Sequence, residues 1–223
     1  MTALGAQTWL DWAWIERNTD KIRDLLGEHV QLTVLAVLLG LAVSVPLGVA
    51  ATRWRRLLTP TLLVTGVLYS IPALALFVLL GPYTGYLTRT TVLIGLVVYT
   101  LLILVRNVVA GLDGVPGEVR DAADGMGYSP VRRLLRVELP LALPAVFAGI
   151  RVATVSTVAL VTIGFINGHG GLGQLILEGL RRGEHGRTPL LVGTVLTVAL
   201  AVVADLVLVG LQRLVTPWSR GRR

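Results

Sequence analysis

The chain alternates long apolar runs with short charged clusters. No charged residue interrupts positions 30–52, a run of 23 residues, or positions 57–88, a run of 32. A bilayer core takes about 20 apolar residues per helix. The pattern predicts five membrane spans, at about 30–52, 57–80, 91–112, 141–166 and 189–215, with Arg106 near the end of the third. Helices are the open-ended way to satisfy every backbone group in lipid. A membrane β-barrel would instead show short alternating segments. Pro46 and Pro72 fall inside the first two spans. Each lacks an N–H and frees a carbonyl one turn back, so each predicts a bend.

Residues 9–26 place Trp9, Trp12 and Trp14 beside Asp11, Glu16, Asp20 and Lys21. This predicts a helix lying in the membrane interface; a soluble cap packed on the outer loops is the alternative. Segment 1–29 has no uncharged core and no small-residue cleavage site, so it does not read as a signal peptide. The expected organisation is an external or interfacial segment over 1–29, a transmembrane domain over 30–215 and a basic tail over 216–223. The transmembrane domain is interrupted by a polar loop at 113–140.

Composition sharpens the picture. Hydrophobic residues make up 54% of the 223 positions and charged ones 15%, against about a quarter charged in soluble domains. A soluble enzyme, a disordered chain and a secreted disulfide scaffold are excluded. With no Cys, disulfides, thiolate metal sites and thiol nucleophiles are excluded too. The net charge of +7 comes from nineteen Arg and one Lys set against thirteen acidic residues. These charges sit between apolar runs, so they report topology rather than nucleic-acid binding. With loop 113–140 inside, that side holds Arg53, Arg55, Arg56, Arg106, Arg120, Arg132, Arg133, Arg136, Arg213, Arg220, Arg222 and Arg223, twelve in all. The other side holds Arg17, Lys21, Arg23, Arg89, Arg181, Arg182 and Arg187, seven in all. The N-terminus is therefore expected outside and the C-terminus in the cytoplasm.

Loop 113–140 is the longest polar interruption. Val119, Ala122, Ala123 and Met126 recur at helical spacing, and Gly127 is placed to end that helix in a left-handed turn. Ser129-Pro130 then starts a second helix, with Pro at its first position, running through Leu134, Leu135 and Val137 to Leu139-Pro140. The helix–turn–helix offers a rigid surface to a partner.

Asp121-Ala122-Ala123, Gly127, Val137 and Leu139-Pro140 resemble the cytoplasmic signature of permease subunits of bacterial ABC importers. That signature is Glu-Ala-Ala, three residues, Gly, nine residues, Ile, one residue, Leu-Pro. Asp stands for Glu and Val for Ile. Further likeness lies in Val45-Pro46-Leu47-Gly48, in Tyr69-Ser70-Ile71-Pro72 and in the stretch 164–175 (GFINGHGGLGQL). These are similar to the glycine betaine/carnitine/choline branch, the quaternary-amine osmoprotectant group. Methionine-importer permeases share a similar Gly-Gly-Leu-Gly stretch. The resemblance implies an all-α, type I ABC importer permease in the bacterial cytoplasmic membrane. It implies two permease subunits forming the pore, a separate ATP-hydrolysing subunit and an external binding protein. It also implies a coupling helix at 118–126, with Glu118, Asp121, Ala122, Ala123, Gly127, Leu139 and Pro140 serving the ATPase contact. The chain carries no Gly-x-x-x-x-Gly-Lys-Ser/Thr loop, so it is not expected to be an enzyme or to hold a cofactor. The other readings are a permease for another small molecule, such as methionine, and an ATP-independent channel or carrier.

Arg151 and Asp205 are the charges deepest in the spans, at similar expected depths. A charge there costs at least about 2.5 kcal/mol unless paired or wetted. A structural ion pair between spans four and five is the plainer role, and a gate at the inner mouth is the alternative. Gly168, Gly170, Gly171 and Gly173 read as turn chemistry, with a re-entrant loop touching the binding protein as the alternative. His169 stands alone, with no clustered His or carboxylate to suggest a metal, so a surface polar role is expected and no metal site. Tyr69, Tyr99 and Phe77 are candidates for the translocation path, because ring faces attract quaternary ammonium groups; ordinary packing is the alternative for each.

Overall fold

The computed structural model describes residues 10–218. Trp9 and the end of the basic tail, 219–223, lie outside the described residues. The described residues form helices and their connections, with no strand among them.

Helix α1 (Trp12–Arg17) is capped by Asp11, whose side chain accepts from the Trp14 N–H at 3.1 Å. After Asn18, α2 (Thr19–Arg53) runs without a break through the expected first span. The sequence reading divides this stretch differently, with an interfacial helix over 9–26 and a span starting at residue 30. Nothing near residue 27 stops a helix: a single Gly costs about 1 kcal/mol, and Glu28 and His29 find partners elsewhere in the chain. Pro46 lies inside α2, and the helix continues past it.

The expected second span is two half-length helices, α3 (Leu58–Ser70) and α4 (Ala73–Thr84), bent by 100° at Ile71-Pro72. Among the described residues four helices are long and apolar enough to cross a membrane, and the bent pair brings the number to five if it counts as one span. Helix α5 (Arg89–Asp113) is capped by the Thr88 hydroxyl. The polar loop follows with α6 (Gly117–Gly125) and α7 (Pro130–Arg133). A π-helical turn at Leu134–Glu138 joins α7 to α8 (Leu139–Ile163). The second helix of the loop is therefore the foot of the fourth span, not a separate surface element. A 3-10 turn (Gly164–Asn167) leads to α9 (Gly173–Arg182), and α10 (Arg187–Val215) is the last long helix among the described residues.

Helix α5 sits at the centre, packed between α2 and α8. Leu32, Ala36, Phe77, Val92, Leu96 and Val161 form one buried cluster, and Val108, Leu112, Ala142 and Val146 another. Small residues let these backbones approach. A Cβ on Gly48 would lie 2.5 Å from Val108, and one on Gly111 2.8 Å from the Ala142 carbonyl. Such packing replaces the hydrophobic drive that lipid removes. Helix α10 leaves Val195, Val198, Val202 and Leu206 exposed.

Candidate functional site

Helix α6 ends as its sequence dictates. Gly127 has φ +77°. The Tyr128 N–H bonds the Ala123 carbonyl at 3.1 Å and the Gly127 N–H bonds the Asp124 carbonyl at 2.9 Å. These are the paired bonds of a Schellman ending. Ser129 caps α7 with Pro130 in its first turn. Arg132 lies over the Tyr128 ring, 4.5 Å from its centroid, and stiffens the turn.

This geometry divides the signature residues. Glu118, Asp121, Ala122 and Gly127 are exposed, whereas Ala123 is buried against its own chain. Leu139 and Pro140 are half-buried at the foot of α8. Met126, which helical spacing grouped with Ala123, points the other way and is 68% exposed. Val131 and Leu135 are also exposed. The loop thus exposes three large apolar side chains as well as the carboxylates of Glu118 and Asp121.

A buried carboxylate holds the loop to the bundle. Glu138, 7% exposed, accepts from Arg133 Nε at 2.7 Å. Arg133 Nη1 also donates to Asp124 on α6. Arg120, on α6, places Nε 3.8 Å from Glu138 and donates from Nη2 to the Leu112 carbonyl at 2.6 Å. That carbonyl lies in the last turn of α5, where a cation is favoured by the helix dipole. Close by, Arg55 grips Asp113 through two bonds of 3.0 and 2.9 Å. Thr52, Arg55, Asp113, Arg120, Arg133 and Glu138 help line a cavity of about 100 Å³. Sequence reasoning missed this network. Its signal was there: Glu138 is an acidic residue between Val137 and Leu139, where an apolar span begins.

Deeper in the bundle, Arg151 donates from Nε and Nη2 to the two Asp205 oxygens at 2.7 and 2.9 Å. This fork geometry joins α8 to α10. Both side chains keep about a third of their surface exposed, in a groove lined by Val152, Val155 and Ser156. The three ring candidates fall in different places. Phe77 is fully buried against Gly95. Tyr99 is 6% exposed and donates its hydroxyl to the Ile71 carbonyl. Tyr69 is 40% exposed and meets Tyr99 edge-on, with centroids 5.7 Å apart.

At the other end of the molecule, the glycine-rich stretch is tied to α2. Glu28 accepts from the Gly171 N–H at 3.2 Å and pairs with His169 Nδ1 at 2.8 Å. His29 is fully buried, with Nε2 3.0 Å from the Val158 carbonyl and Nδ1 accepting from the Leu172 N–H at 3.3 Å. His169 therefore has a carboxylate neighbour, one brought from 141 residues away. Among the described residues no group of three metal-ligating side chains occurs.

A family model described as "Binding-protein-dependent transport system inner membrane component" matches residues 36–220. The choline transport system permease protein OpuBD of Bacillus subtilis is 34% identical, covering 92% of this chain and 90% of its own length. The osmoprotectant import permease protein OsmW of Salmonella typhimurium is 38% identical, covering 90% of this chain and 94% of its own. A solved structure of the MetNI methionine ABC transporter in an inward-facing conformation superposes with a TM-score of 0.73 at 23% identity. It covers 93% of this chain and the whole of the matched one.

Proposed function

We infer the function from one premise: the chain belongs to the family of binding-protein-dependent transport system inner membrane components. It is a multi-pass, all-helical permease of that family. Its role is that of pore subunit in an ATP-driven importer of quaternary-amine compatible solutes such as choline, glycine betaine or carnitine. A separate ATPase subunit docks on α6, a binding protein delivers cargo on the opposite side, and a second permease subunit completes the pore. The twelve-to-seven basic count supports an external N-terminus and a cytoplasmic α6.

One observation carries this reading: the loop projects the exposed carboxylates of α6 and the exposed Met126, Val131 and Leu135 that follow it, while Arg120 and Arg133 tie it to α5 and the foot of α8. Closure of the ATPase on ATP displaces α6, and the charged network passes that displacement to the spans. The bundle then changes access by shifting between two arrangements. The charge pair between Arg151 and Asp205 holds α10 to α8 as they move.

The cargo class is supported by the choline and osmoprotectant relatives. Methionine is the second reading, from the MetNI likeness, which at 23% identity speaks for the fold alone. The test is uptake of labelled choline, glycine betaine, carnitine and methionine by vesicles holding the assembled complex. Uptake of a quaternary amine supports the assignment. Uptake of methionine alone overturns the cargo and keeps the importer.

A further inference from the structure

The expected second span breaks midway along its apolar run. Helix α3 has 13 residues and α4 has 12. At 1.5 Å per residue each is about 20 Å long, too short for a core of about 30 Å. Ser70 Oγ donates to the Gly66 carbonyl at 2.7 Å, the Ile71 N–H bonds the Leu68 carbonyl at 3.4 Å, and the Ile71 carbonyl takes the Tyr99 hydroxyl. Pro72 has no N–H to give. Among the described residues, the carbonyls of Tyr69 and Ser70 accept no hydrogen bond. Tyr69, Ser70 and Pro72 are nevertheless exposed. Lipid does not tolerate open backbone acceptors; such a break lines a polar cavity.

We propose that this break is a mid-membrane station for the cationic head of the cargo, in which the Tyr69 ring and the carbonyls of Tyr69 and Ser70 receive a quaternary ammonium. The assignment rests on the quaternary-amine reading above. The chemistry matches on three counts. An ammonium without N–H groups needs no directed acceptor, and it binds ring faces and carbonyl oxygens. The C-terminal end of α3 adds the negative pole of its dipole. No charged residue occurs between positions 57 and 88, so neither half-helix brings a carboxylate to the break. Tyr99 acts as the positioning residue: its hydroxyl holds the Ile71 carbonyl and its ring braces Tyr69.

The test uses the assembled complex with its ATPase and binding protein. Tyr69→Phe keeps the ring face and is expected to retain most of the choline coupling that Tyr69→Leu loses. Tyr69→Leu is expected to lose about five- to tenfold in choline imported per ATP hydrolysed, the size of one cation–π contact. A second measurement is independent of transport. The chain has no native Cys, so the thiol in Ser70→Cys reports cleanly. It is expected to react with a membrane-impermeant thiol reagent and to be protected by tetramethylammonium. Equal coupling in Tyr69→Leu and the unaltered complex, or equal loss in Phe and Leu variants, overturns the station. So does a thiol that never reacts, or one that reacts without protection. A complex that imports no quaternary amine overturns the cargo reading instead, and the protection experiment still decides the site.

Discussion

Removing the Glu138 carboxylate tests how the loop is coupled to the bundle. Glu138 is 7% exposed, and its closest partner, the Arg133 side chain, is 14% exposed. Breaking a buried pair by deleting one partner costs about 3–5 kcal/mol, most of it from the charge left behind. Here the orphaned charge keeps a second partner, because Arg133 also holds Asp124. The Arg120 contact is long, at 3.8 Å, and Arg120 is a third exposed, so it behaves as a surface pair worth under about 1 kcal/mol. What remains is one charge-assisted bond, so Glu138→Ala should weaken docking of α6 by about 2 kcal/mol. At 1.4 kcal/mol per tenfold, the undocked population rises about 30-fold. Hydrogen exchange on the complex in nanodiscs reads this directly: amides of α6 should lose about 30-fold in protection while those of α5 hold. ATP hydrolysis should persist and cargo import fall, because the ATPase would move a loosely held helix. Glu138→Gln, which keeps an acceptor for Arg133, should lie between. Unchanged α6 exchange together with normal import in Glu138→Ala would refute the network as the linkage.

Three further outcomes are expected. Gly127→Val should abolish import and reduce co-purification of the ATPase while the chain still inserts, because φ +77° costs an L-residue about 1–2 kcal/mol and a β-branched one more. Gly127→Asn should retain most activity, and a fully active Val variant would remove the turn from the mechanism. Arg151→Ala and Asp205→Ala should each lower thermal stability in detergent by more than the double variant does, with a coupling of about 1–3 kcal/mol; additive effects would mean the pair does not interact. In single-Cys variants, Ser129→Cys should be labelled only from the cytoplasm and Glu184→Cys only from outside; reversed labelling would invert the proposed orientation.

Much of this architecture was legible because lipid leaves few options. Charge-free runs located the spans, and Gly127 with Ser129-Pro130 announced the turn, since left-handed φ and helix capping are local chemistry. What escaped was non-local. Nothing in sequence tells that Glu28 and His29, next to an apolar run, are accommodated by Gly171, Leu172 and His169, so α2 starts eleven residues before the expected span. Pro46 and Pro72 carry the same local signal, yet only Pro72 breaks its helix. At Pro72 the Tyr99 hydroxyl satisfies the adjoining Ile71 carbonyl. Periodicity put Met126 with Ala123 because it gives a shared face without saying where the helix ends; Met126 is already the cap, past the last helical turn. Glu138 was hidden because a charge at the foot of a span reads as solvated until its two arginines are seen.

ATP hydrolysis by the complex in nanodiscs, measured with empty, choline-loaded and methionine-loaded binding protein, tests the importer role most directly. This chain alone should hydrolyse nothing, and it has no phosphate-binding loop with which to do so. The full complex should hydrolyse slowly with empty binding protein and faster with the choline-loaded form, because a ligand shifts an equilibrium only by its differential affinity for the two states. Choline accumulation by the chain without an ATPase, or hydrolysis indifferent to the loaded binding protein, would contradict the account.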